Sequence, residues 1–107
     1  MFDESDALKI ANKLNIKFDK FPLCDFLTGL NIELEHGKIN NSTNVTDDDL
    51  EKTAKIALAH LNEFNDYYNP IYGLPAFENM LKSKQLYYYK NTVNPCFIFL
   101  TYLTSLS

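Results

Sequence analysis

"TDDDLEKTAKIALAHLNEFNDYYNP", residues 46–70, carries the strongest periodic signal in the chain and decides its class. Leu50, Thr53, Ala54, Ala57, Leu61, Phe64 and Tyr68 recur at the spacing that lines one face of an α-helix. Thr46 fits the N-cap, and Asp47, Asp48 and Asp49 fit the first turn, where the helix dipole favours negative charge. Thr46-x-x-Asp49 resembles a capping box with Asp in place of Glu. Asn69-Pro70 ends the pattern. The acidic run lacks the spaced oxygen ligands and turn glycine of an EF-hand, so it reads as a helix start.

Upstream the period repeats. Leu23, Phe26, Leu27, Leu30 and Leu34 predict a helix from about Leu23 to His36, with Gly37 at C′ and the histidine in the last turn, where the dipole favours a cation. A shorter helix is expected over residues 4 to 14, with Asp3 or Ser5 as N-cap and Ala7, Leu8, Ala11 and Leu14 on its apolar side. Between the two, Phe18 and Phe21 are expected to tuck against the core. "GKINNSTNV" has turn composition and no period, and reads as a loop of about ten residues. After "NPIYGLP", a fourth helix is expected from Ala76 to Ser83, with Phe77, Met80 and Leu81 docked onto the bundle. The fold class is therefore all-α: a small bundle of three to four helices over residues 1–84, followed by an apolar, irregular C-terminal extension over 85–107.

With 107 residues the chain has the size of one domain, and 46% hydrophobic content is enough for a core. A net charge of −4 and no run of lysines exclude a nucleic-acid backbone binder. The acidic N-terminus "MFDESDALK" has no apolar signal core, and Cys24 and Cys96 fit two reduced, mostly buried thiols. Both point to an intracellular protein. The apolar "CFIFLTYLTSL" is far short of the roughly 20 residues of a spanning helix, so attachment through residues 93–107 is disfavoured.

The candidate site residues are Glu33, His36, His60 and Glu63. Glu33-x-x-His36 and His60-x-x-Glu63 place a carboxylate and an imidazole on one face of each long helix, a donor set that suits zinc, iron or manganese. Depth argues against one shared ion. In a simple antiparallel hairpin His36 falls near Asp49 and Thr53, and His60 lies about 20 Å away beside Leu23 and Phe26. The favoured expectation is a dipole-stabilised His36 and a half-buried His60 held by Glu63 or Tyr67, with no cofactor. No glycine-rich phosphate loop, nucleophile or oxyanion hole is legible, so the reading leans away from an enzyme.

"FPLCDFLTGLNIELEHG" (21–37) and "TNVTDDDLEKTAKIALAHLNEFNDYY" (43–68) resemble a family of small uncharacterised proteins of bacteria, phages and large DNA viruses, sharing ELEHG and KTAKIALAHL-x-E-x-x-DYY motifs. "PIYGLPAFENMLK" resembles the continuation in viral members. Leu50 stands where a proline is common, and Asn65 replaces the proline before DYY. The resemblance brings no established activity. Fusion of some members to larger phage proteins implies an accessory or interaction module, in the host cytoplasm or the virion. A protein partner or self-association, through the aromatic C-terminal half, is the expected mode of action.

Overall fold

The computed structural model describes residues 1–91, with side chains through Gln85. Of the irregular extension expected over 85–107, residues 85–91 are helical instead, and 92–107, Cys96 included, lie outside the described residues, as do the side chains of Tyr87, Tyr88 and Tyr89. Every regular element among the described residues is helical: α1 (Glu4–Lys13), α2 (Leu23–Ile39), a short 3-10 turn (Asn41–Thr43), α3 (Leu50–Glu63) and α4 (Leu74–Asn91).

The start and end of α1 are both specified by side chains. Asp3 accepts from the Asp6 backbone and Asp6 accepts from the Asp3 backbone, a reciprocal capping box. At the other end Asn15 adopts a left-handed conformation (φ 58°), and the amides of Asn15 and Ile16 return to the carbonyls of Asn12 and Ala11. That is a Schellman stop with Asn in the place usually held by glycine. The chain ahead of α1 is tied down as well. Asn31 of α2 accepts from the Phe2 amide at 2.8 Å and donates to its carbonyl at 3.0 Å.

Packing centres on α2 against α3, with α1 lying across both. Phe26 and Leu30 of α2, Leu61 of α3 and Tyr68 are fully buried, and Ala7, Ala11, Ala54 and Ala57 keep α1 and α3 small where they enter the core. As expected, Phe18 and Phe21 join this core. Their rings meet edge-on at 6.0 Å, and Phe18 meets Phe26 at 5.9 Å. On the surface Lys13 of α1 and Glu51 of α3 are 2.7 Å apart. Both groups are solvated, so this pair orients the helices more than it stabilises them.

Three boundaries of α2 and α3 differ from the sequence expectation, each for a steric or hydrogen-bonding reason. Helix α2 does not end at Gly37. It continues to Ile39, and Gly37 is a buried interior position with an ordinary negative φ. Its glycine is required by the following loop: a Cβ there would stand 2.8 Å from Asn44 Oδ1 and 3.3 Å from Thr46 Oγ1. Helix α3 starts later than expected, with Asp49 rather than Thr46 as N-cap, accepting from the Lys52 amide at 2.9 Å. Thr46 is instead buried against that loop and donates to Asn44 Oδ1, while Asp47 and Asp48 take left-handed conformations that Asp tolerates. Finally, α3 stops at Glu63, so Phe64 and Tyr68 are not on it.

The fourth helix begins at Leu74 and runs past Ser83, but Phe77 and Leu81 do not dock as expected. They are 51% and 41% exposed, because the groove between α2 and α3 is already occupied by Tyr68. Cys24 is likewise exposed rather than buried.

Gly37→Ala tests the loop contact. Alanine gains about 1 kcal/mol of helix propensity, yet the displaced Asn44 costs about 1–3 kcal/mol in overpacking and lost bonds. Urea denaturation should therefore show a net loss, where an open helix position would show a gain.

Candidate functional site

The segment from Phe64 to Gly73 leaves α3, turns, and hands the chain to α4. Phe64 closes α3 by donating its backbone N–H to the His60 carbonyl, and the weak helix formers Asn65 and Asp66 follow. Asn69 then organises the turn: its Oδ1 accepts from the amides of Ile71 and Tyr72, and its carbonyl accepts from Gly73. Gly73 lies against the carbonyls of Asp66 and Tyr67, with no room for a Cβ.

This turn drives Tyr68 into the bundle. The ring sits over Gly29 of α2, where a Cβ would come within 2.5 Å of its ring carbons. The hydroxyl donates to Glu33 Oε1 at 2.9 Å, one turn further along α2. Burial, reinforced by the Glu33 charge and this hydrogen bond, pushes the Tyr68 hydroxyl far above the usual tyrosine range. Beside it, Tyr67 meets Tyr68 edge-on at 4.9 Å and stacks flat on His60 at 4.2 Å. Burial, then Glu33, Glu63 and Glu78, raise the Tyr67 hydroxyl as well.

Of the four sequence-predicted residues, Glu33 and His60 touch the two tyrosines directly, and His36 reaches them only through Glu33. Glu33 serves Tyr68. His36 does not reach Asp49; its Nε2 is 3.3 Å from Glu78 of α4, and its Nδ1 is 4.0 Å from Glu33. His60 holds Tyr67 through ring stacking, and Glu63 acts on Tyr67 by charge alone. Among the described residues no three His, Cys, Asp or Glu side chains are grouped so that they could hold a metal ion. No described helix is long and apolar enough to cross a membrane.

A family described as protein of unknown function (DUF5661) matches residues 7–74. The chain belongs to the DUF5661 family. No curated protein and no solved structure matches it. The DUF5661 match begins inside α1 at Ala7, spans α2, α3 and the Tyr67–Tyr68 turn, and stops as α4 begins. The site around the tyrosines therefore belongs to the DUF5661 unit, with Glu78 added from α4.

The outer side of the same turn is an open cleft of about 510 Å³, lined by Phe64, Asp66, Tyr67, Tyr72, Gly73, Leu74 and Phe77. Of these, Phe64, Tyr72 and Phe77 are 60%, 79% and 51% exposed. Sequence reasoning placed Phe64 on a buried helix face and so missed this surface. The signal available was Asn65-Asp66, two residues that favour leaving a helix. Asp25, in the first turn of α2, was also missed. It is 6% exposed, and its carboxyl is raised mainly by burial, with Asp66 adding to the shift and the Cys24 thiol opposing it.

Two measurements check this arrangement. Tyr68→Phe leaves the Glu33 oxygen without its donor, and the loss of a hydrogen bond to a charged group should cost about 1.5–3 kcal/mol in denaturant titrations. Because the Tyr68 pKa is raised on folding, its contribution is intact below about pH 10, the unfolded value, and is lost as pH climbs beyond it. Alkaline unfolding should begin there in the parent and be blunted in Tyr68→Phe. Asp25 works at the opposite end of the scale. A raised carboxyl favours the fold below the unfolded value of about 3.9, and that advantage disappears as pH rises through the folded value. Asp25→Asn should accordingly be more stable than the parent at neutral pH, with the difference vanishing in acid.

Proposed function

We propose that this chain is a non-enzymatic binding module that docks a protein partner, or a second copy of itself, through the aromatic face around the Phe64–Phe77 cleft. One observation carries the reading: Phe64, Tyr72 and Phe77 are exposed together around a single cleft, while among the described residues every buried polar side-chain atom has a hydrogen-bond partner. Apolar surface gathered in this way is the usual mark of an interaction site, and aromatic residues dominate such sites. The rigid support beneath favours it too, since Tyr67 and Tyr68 anchor the turn to α2 and α3 at no cost in ordering on binding.

The metal-dependent alternative, with zinc, iron or manganese at Glu33, His36, His60 and Glu63, has less support, because Glu33, His36 and His60 are engaged with Tyr68, Glu78 and Tyr67. An exposed thiol at Cys24, unpaired among the described residues, favours a reducing, intracellular setting. The resemblance to phage and large DNA virus proteins favours an accessory role in an infected host or in the virion.

The test is a random-peptide display selection on the purified full chain, counter-selected against a Tyr72→Asp/Phe77→Asp double variant shown by circular dichroism to fold. The expected result is a peptide consensus retained by the parent and not by the variant. Enrichment of no sequence, or equal enrichment on both proteins, sinks the docking reading.

A further inference from the structure

The cleft is apolar within and acidic around its mouth. Asp66 is part of its lining. Glu63 immediately precedes Phe64, and Glu78 immediately follows Phe77. On the inner side of the turn Glu33 and Glu78 lie 4.0 and 3.3 Å from the same His36 ring, which brings α2 and α4 carboxylates together there. From Ile56 to Leu81 the chain has no lysine. The first lysines on α4, Lys82 and Lys84, come more than a helical turn beyond Phe77. The two histidines of the neighbourhood are engaged, His36 with Glu78 and His60 with Tyr67.

Resting on the docking reading above, we propose that the cleft's partner is a protein segment with an apolar anchor side chain flanked by lysine or arginine. The anchor enters between Phe64, Tyr72, Leu74 and Phe77, in a volume of the size that takes one or two large side chains. The flanking cation then meets Asp66, Glu63 or Glu78. Exposed aromatic faces at Tyr72 and Phe77 add a second attraction, since a lysine or arginine head over such a ring is favoured by its quadrupole. Rim charges of this kind steer encounter and select among partners. The same carboxylates repel an anionic lipid surface and a nucleic-acid backbone, so a peptide segment is the occupant the charges favour.

The experiment is fluorescence anisotropy of the full chain with three labelled synthetic peptides that share one leucine–phenylalanine anchor. Their flanks are lysines, serines or glutamates. The expected order of affinity is lysine, then serine, then glutamate, with at least about a tenfold gap between the extremes at low salt, closing as salt is raised. Asp66→Asn and Glu63→Gln, both exposed and conservative, should narrow that gap without abolishing serine-peptide binding. Equal affinity for all three peptides overturns the charge preference and leaves the docking reading standing, as does a glutamate peptide that binds best. Failure of all three, with a display consensus in hand, overturns this inference alone. Failure of all three with no consensus overturns both.

Discussion

Tyr68 is the constraint on which the arrangement depends. Its ring fills the notch made by Gly29, its hydroxyl is spent on Glu33, and its position dictates that the chain leave α3 five residues earlier. Once Tyr68 is seated, Tyr67 is presented to His60, the Asn69 turn closes, and α4 departs in a direction that leaves Phe77 facing solvent. A buried hydroxyl in contact with a carboxylate is favourable only if the geometry is kept, because neither group can be abandoned without a desolvation cost. The aromatic cleft is the outer consequence of that inner commitment.

The helices themselves were legible because their cause is local. The spacing of Leu23, Phe26, Leu30 and Leu34 and that of Ala54, Ala57 and Leu61 reports a face, and those faces are the ones buried. What sequence could not supply was the identity of the group on the other side. Gly37 carries the composition of a helix stop, yet it is a helix interior made small for Asn44 and Thr46. Tyr68 continues the helical period of α3 by coincidence of spacing, while the backbone beneath it has already turned. Each failure is a tertiary contact overriding a local preference.

The candidate residues tell the same story. A straight-hairpin estimate set His36 and His60 about 20 Å apart along the helices. It did not include the returning turn, which sets Tyr67 against His60 and Tyr68 against Glu33. His36 found its partner on α4, a helix whose placement no periodicity could reveal. The acidic neighbourhood follows from topology, since Glu33, Glu63 and Glu78 come from three separate helices.

Helix α2 is notched twice, at Gly29 for a ring and at Gly37 for the Asn44–Thr46 loop. A helix of this kind works as a lock whose wards are absences. Its specificity for the segments that cross it is written in missing atoms, so positions 29 and 68, or 37 and 44, can change only as pairs. A bulkier residue on the helix demands a smaller one in the segment that crosses it, and sequence drift in the turn is tethered to drift in a helix more than thirty residues away.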